Sequence, residues 1–172
     1  MFVQGQKIIY GNHGVCEIED IILRKDPLLG EKQTYLILLS NGLTAYVPVD
    51  STVFMRELMT KEEAEEVIRS FPSIGTQEFT GSNSKALADR YRAILGRHVP
   101  EELFCLYKSL KAKVLSAVQN GKKPGAMDDR FSALAISLVT DELSVVLECP
   151  RTEILAKLGV DEDEASLRRA YL

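Results

Sequence analysis

The spacing of apolar residues changes once along the chain, near residue 60, and that change constrains the fold more than any composition figure. Before it, apolar residues fall at every second position or in short blocks; after it, they recur every third or fourth. Period two puts alternate side chains on the two faces of a strand, whereas period 3.6 lines them along one helix face. A chain patterned this way builds a β part and then an α part.

In the β part, Lys7-Ile8-Ile9-Tyr10 reads as a short strand and Gly11-Asn12-His13-Gly14 as a turn, since Gly and Asn tolerate positive φ. Val15-Cys16-Glu17-Ile18-Glu19-Asp20-Ile21 alternates, as a half-buried strand does. Asp26-Pro27-Leu28-Leu29-Gly30 reads as a loop, and Thr34-Tyr35-Leu36-Ile37-Leu38-Leu39 as a strand. Ser40-Asn41-Gly42 marks a hairpin into Leu43-Thr44-Ala45-Tyr46-Val47-Pro48, and one more short strand fits near 53–58. Five strands in so short a stretch suit a small, strongly bent sheet or SH3-like barrel.

Thr60-Lys61-Glu62-Glu63 is a capping box, which predicts a helix to about Ser70, before Pro72. Residues 73–84 are rich in Gly, Ser and Thr and read as a linker. The rest reads as helix. Leu87, Tyr91, Ile94 and Leu95 form one stripe; Pro100 opens a second helix carrying Leu103, Leu106, Tyr107, Leu110, Val114 and Val118, ended by Asn120-Gly121. Phe131, Leu134, Ala135, Leu138, Leu143 and Val146 define a third, long helix, and Pro150 ends it. A short helix over 152–158 stops at Gly159, and 161–172 is expected to form a terminal helix. The predicted class is α+β, a β module followed by an all-α bundle, divided as 1–59, a helix and linker over 60–83, and a helical domain over 84–172.

Composition narrows the function. Of the 172 residues, 45% are hydrophobic and 27% charged, which is ordinary for a globular protein and argues against a disordered chain. No apolar run reaches the ~20 residues that span a bilayer, and the start lacks a basic region followed by an apolar one, so a cytoplasmic location without membrane attachment is expected. Three widely separated cysteines, Cys16, Cys105 and Cys149, make neither a disulfide framework nor a metal-ligand spacing, and no cofactor is expected. His13 and Cys16 are the only pair inviting a nucleophile reading, but they straddle a turn with no third orienting group. Phosphate loops, dinucleotide fingerprints and nucleophile elbows are missing too, so the expectation is a protein that is not an enzyme.

Charge is more informative. The net charge is −4, yet residues 81–125 hold 9 basic and 3 acidic groups while every other segment is acidic. Lys85, Arg90, Arg92 and Arg97 lie on the first helix after the linker, Lys108, Lys111 and Lys113 on the next, and Lys122 and Lys123 in the following loop. Such a block either solvates a helix surface or tracks a phosphate backbone. No helix carries Asn, Gln and Arg at base-reading spacing, so DNA contact here would follow shape and charge. A second candidate surface is the hairpin of 35–39 and 43–47, because an exposed sheet edge can pair with a strand of another protein; the following helix covering that edge is the alternative.

Phe2-x-x-Gly5-x-x-Ile8-Ile9-Tyr10-Gly11-Asn12-His13-Gly14-Val15 resembles the opening of the CarD/CdnL family of bacterial transcription regulators. Tyr35-Leu36-x-Leu38 followed by Val47-Pro48 is similar to the family's next hairpin, and Arg90-Tyr91-Arg92 and Leu138-Val139-x-x-Glu142-Leu143 are similar to parts of its helical domain. The resemblance covers about residues 1–148. It implies a Tudor-like N-terminal domain that binds the RNA polymerase β subunit and a helical domain that contacts promoter DNA at the upstream edge of the melted region, together stabilising the open complex, without catalysis or cofactor.

Charge pattern, hairpin edge and resemblance together give as expected site residues Arg24, Tyr35, Ile37, Tyr46, Val47 and Pro48 toward polymerase, and Lys85, Leu87, Arg90, Arg92, Arg97, Lys108 and Lys111 toward DNA; the resemblance itself points to Arg24, Tyr46, Leu87 and Arg92. The chain is expected to act as a monomer, associated with the nucleoid through polymerase. An adaptor whose helices bind protein rather than DNA is the alternative. Three departures stand out: Gly11 where the family has Pro, Cys16 where it often has Gly, and no Trp anywhere. The family's Trp position falls on Leu87, which either wedges at DNA or joins the core stripe with Tyr91 and Ile94.

Overall fold

The computed structural model describes residues 1–26, 30–81 and 83–161. They divide into two compact units at Leu58/Met59, one β and one α, so the chain is α+β.

The first unit is one antiparallel sheet. Its strands are β1 (Lys7–Tyr10), β2 (Val15–Asp26), β3 (Gly30–Leu38), β4 (Thr44–Pro48) and β5 (Met55–Glu57), in the spatial order β4-β3-β2-β1-β5. A shift of register between Ile18 and Asp20 bends β2. Gly42, at φ 81, closes the β3–β4 hairpin, with Leu39 N–H donating to Leu43 O at 2.8 Å. Ile8, Cys16, Ile18, Tyr35, Ile37, Leu39 and Val47 form the core, and Phe2 donates its N–H to Tyr35 Oη at 3.1 Å. The expected strands are present, but β2 and β3 are longer than alternation indicated. Arg24, Lys25 and Asp26 pair with Lys32, Glu31 and Gly30, so residues read as loop or left unassigned extend the hairpin as a ribbon. Charged residues on both faces hide a strand from a periodicity argument.

The second unit holds α1 (Lys61–Ser70), α2 (Ser84–Arg97), α3 (Pro100–Gln119), α4 (Ala126–Val146) and α5 (Arg151–Leu158). The capping box forms as its residues demand: Thr60 Oγ1 accepts from Glu63 N at 3.2 Å, and Glu63 Oε2 accepts from Thr60 N at 2.7 Å. Asn83 caps α2, His98 ends it at φ 50, and Gly159 ends α5 at φ 67. Tyr91, Phe104, Leu106, Leu110, Ile136, Leu138, Leu143 and Ile154 fill the core. Each such side chain contributes about 1.5–3 kcal/mol on burial.

Residues 74–81 run extended without joining a strand or helix. They belong to this unit: Phe79 is buried in its core, and Gln77 donates its N–H to Ser109 Oγ at 2.9 Å. The Gly and Ser content of this stretch reflects an extended path rather than a detached tether. The expected helix over 161–172 lies, from residue 162 on, outside the described residues. Among the described residues no helix is long and apolar enough to cross a membrane.

Candidate functional site

The outer edge of β4 is the first candidate. Tyr35, Ile37 and Val47 turn their side chains into the core, so they do not offer them to a partner, as a surface role would need. Strand alternation dictates this, since Tyr35 pairs with Val47 and Ile37 with Ala45 across β3 and β4 on the buried face. Their part is to hold β4 in register. The backbone of β4 then follows from hydrogen-bond parity. Val49 donates to Gln33 O at 3.0 Å and Leu39 to Leu43 O at 2.8 Å, so the odd-numbered residues of the two strands face each other. Thr44, Tyr46 and Pro48 therefore direct their backbone groups outward, where no described strand pairs. Thr44 and Tyr46 present N–H and C=O groups; Pro48 has no N–H, and its C=O accepts from Ser51 N–H at 2.9 Å.

The flank of this edge is built by Arg24 and Tyr46. The register puts Asp20, Leu36 and Tyr46 in one row, Ile22, Thr34 and Pro48 in the next, and Arg24 with Lys32 in the third, all on the face away from the core. Arg24 reaches across the middle row so that its guanidinium carbon lies 4.7 Å from the Tyr46 ring centroid. Thr34 lies between their rows and is only 3% exposed, although it faces away from the core. Tyr46 itself is 52% exposed. Beside them Lys32 Nζ and Asp50 Oδ2 are 2.7 Å apart, and the Lys32 hydrogen bond and charge hold the Asp50 carboxyl below the usual carboxylate range. Sequence reasoning missed this pair; its partners are 18 positions apart and no local spacing signals it.

The basic helices form the second candidate. Arg90 and Arg92 flank Tyr91 and lean in different directions. Arg90 lies 4.8 Å from the Phe79 centroid and Arg92 6.0 Å from that of Phe131. Phe79, Tyr91 and Phe131 themselves form an edge-to-face row, with centroids 5.3 and 5.2 Å apart, so the two arginines cap its two ends. Arg92 pairs with Asp89 and Arg97 with Glu102, each at 2.7 Å. Lys85 and Lys111 are on α2 and α3, exposed and half-buried respectively.

Two residues of this candidate set take inward roles. Leu87 is 9% exposed and packs in the helical core, so of its two readings the core one holds. Lys108 donates to Phe71 O and to Ile74 O, and its ammonium lies 4.3 Å from the Phe71 centroid. It ties down the turn after α1 instead of facing solvent. Lys113 is held too, 2.8 Å from Asp128 Oδ2, while Tyr91 Oη donates to Asp128 Oδ1 at 3.1 Å.

The pair weighed for catalysis is separated in role. Cys16 is buried in the β core, and the His13 ring stacks on Tyr10 at 5.4 Å. Among the described residues no three His, Cys, Asp or Glu side chains come together as a metal site would need.

Residues 2–59 match the family model of the CarD-like/TRCF RID domain. The N-terminal unit is similar to a CarD-like RID domain. No curated protein matches the chain. The family match ends one residue past the division at Leu58/Met59, so the CarD-like RID domain and the β unit coincide. The matched family is one of RNA polymerase-interacting domains, which supports a transcription-related reading of this unit. The open edge of β4, with Arg24 and Tyr46 beside it, is a surface of the kind that strand addition uses.

Proposed function

We propose that this protein is a non-catalytic transcription regulator of the CarD/CdnL type. Its RID domain binds the RNA polymerase β subunit by adding a polymerase strand to the edge of β4, with Arg24 and Tyr46 gripping one side and Pro48 ending the pairing. The helical unit then contacts upstream promoter DNA through Lys85, Arg90, Arg92, Arg97 and Lys111. Docking on polymerase raises the local concentration of these cations at the promoter, so a few phosphate contacts suffice. Stabilising the open complex by about 1–2 kcal/mol shifts its population roughly five- to thirtyfold. The protein acts in the cytoplasm, at the nucleoid through polymerase.

The observation that carries this reading is the free edge of β4 inside a matched RID domain. Retention of the full chain on immobilised polymerase tests it. Tyr46→Glu puts a carboxylate beside the docking strand and lowers retention at least tenfold; unchanged retention overturns the reading. For the DNA contact, Arg92→Glu shortens open-complex lifetime and flattens its dependence on salt.

A second reading, an adaptor whose helices bind protein without touching DNA, draws on the in-chain carboxylates already paired with Arg92 and Arg97. Exposed pairs of this kind are worth about 0–1 kcal/mol, so exchanging them for phosphate costs little. An open-complex lifetime indifferent to both salt and Arg92→Glu favours the adaptor.

A further inference from the structure

The extended stretch over residues 74–81 is pinned to the helices at several points, and the side chain it carries into the core supports an arginine. Lys108 donates to Ile74 O at 2.9 Å, and Gln77 donates its N–H to Ser109 Oγ at 2.9 Å. Ser109 is itself held, its hydroxyl donating to Cys105 O at 2.6 Å. At the far end Gly81 runs so close to α2 that an added Cβ would sit 3.4 Å from Leu87 Cγ, just before Asn83 caps the helix. Phe79 lies between these ties, 5% exposed and edge-to-face with Tyr91 at 5.3 Å. The ring is thus fixed from α3 and from the core.

The three arginines of α2 are held in different ways. Arg92 and Arg97 each have a carboxylate at 2.7 Å, Asp89 and Glu102. Arg90 is exposed, and among the described residues its partner is the Phe79 ring, whose centroid lies 4.8 Å from the guanidinium carbon. A guanidinium over a ring spends its flat face on the contact. Its N–H donors lie in its own plane, in a fork that fits two phosphate oxygens. An exposed arginine also loses rotamer freedom when it binds, which counts against affinity. Stacking on a ring that is already fixed settles much of that loss beforehand.

We propose that Phe79 is a positioning residue for DNA binding, holding Arg90 as a phosphate contact that is formed before the duplex arrives. The inference rests on the DNA-contacting role proposed above for α2. It ranks Arg90 ahead of Arg92 and Arg97, whose donors must first leave a carboxylate. It also gives the stretch over 74–81 a part in DNA binding without a basic residue of its own. Phe79 adds no charge, so it sets how ready Arg90 is and not how many phosphates are neutralised. That separates its effect from that of the arginine, because the salt dependence of binding counts neutralised phosphates.

Titration of the full chain onto a fluorescent DNA duplex, repeated from low to moderate salt, tests the proposal, with circular dichroism melts showing that each variant is folded. Arg90→Ala lowers affinity and reduces the slope of log affinity against log salt by about one. Phe79→Leu lowers affinity roughly two- to tenfold with the slope unchanged, and Phe79→Tyr, which keeps a ring, retains wild-type affinity. Ser109→Ala, which releases Gln77 and leaves the apolar core in place, lowers affinity in the same direction. In the Arg90→Ala background Phe79→Leu changes nothing further. If Arg90→Ala weakens binding but Phe79→Leu does not, the positioning role is overturned and the DNA contact stands. The same holds if Phe79→Leu costs as much without Arg90 as with it. Binding indifferent to Arg90→Ala overturns the DNA contact at Arg90, and the positioning role with it.

Discussion

Glu142 accepts the backbone N–H of Met59 at 2.9 Å, across 83 positions of sequence. Met59 is the first residue of the helical unit, and Glu142 is buried within α4. The carboxylate fixes where the second unit begins. Removing it with Glu142→Ala strands a half-buried donor and costs about 1.5–3 kcal/mol, the range for hydrogen bonds to charged groups. Denaturant melts of the full chain check this, and Glu142→Gln, which keeps an acceptor, recovers part of the loss.

Arg24 over Tyr46 contributes little to folding. A cation–π contact at an exposed site is worth about 0.5–1 kcal/mol. Arg24→Ala and Tyr46→Ala each lower stability by no more than that, and a double-mutant cycle returns a coupling of the same size. The same variants weaken polymerase retention far more than they weaken the fold, which separates a docking role from a structural one.

Lys108 behaves in the opposite sense. With its ammonium on two backbone carbonyls and the Phe71 ring, Lys108→Met leaves those carbonyls short of a donor and destabilises the chain by about 1.5–3 kcal/mol. The salt dependence of open-complex lifetime is unchanged by it, whereas Lys85→Ala leaves thermal stability unchanged and flattens that dependence.

The Tyr91–Asp128–Lys113 cluster sets a limit at high pH. Burial pushes the Tyr91 phenol above its ordinary 10.0, with the Asp128 charge adding to it. For Lys113, desolvation pulls downward, but the Asp128 hydrogen bond and charge outweigh it and hold the ammonium above 10.5. Both groups bind their protons more tightly when folded. Their contribution is fully present below the unfolded values and is lost as pH rises through the folded ones. Stability therefore declines above about pH 10, and Tyr91→Phe with Lys113→Met makes that decline shallower in melts across pH 8–11.

Local patterns were legible in the sequence where the physics is local. The Thr60–Glu63 box, the Gly42 hairpin and the Gly159 cap need only a few neighbouring residues, and each stands where its motif indicated. The helical stripe that places Tyr91 and Leu95 in the core likewise follows from period alone. Site residues were legible only in part. Alternation identifies Tyr35 and Val47 as strand residues but not which strand is the edge, because strand order is a long-range property. The lysines of α3 look alike in a charge count, yet Lys108 and Lys113 are committed to carbonyls and to Asp128. That difference depends on partners 15 or more positions away. The role of Phe79 as the platform under Arg90 was hidden because it sits in a stretch whose Gly and Ser content suggested a tether.

Pro48 has a consequence for what this protein avoids. An open sheet edge invites runaway stacking of copies into fibres. The missing amide proton at Pro48 interrupts any ladder growing along β4 after Thr44 and Tyr46. The edge is thereby long enough to be held by one short foreign segment and too short to seed a filament.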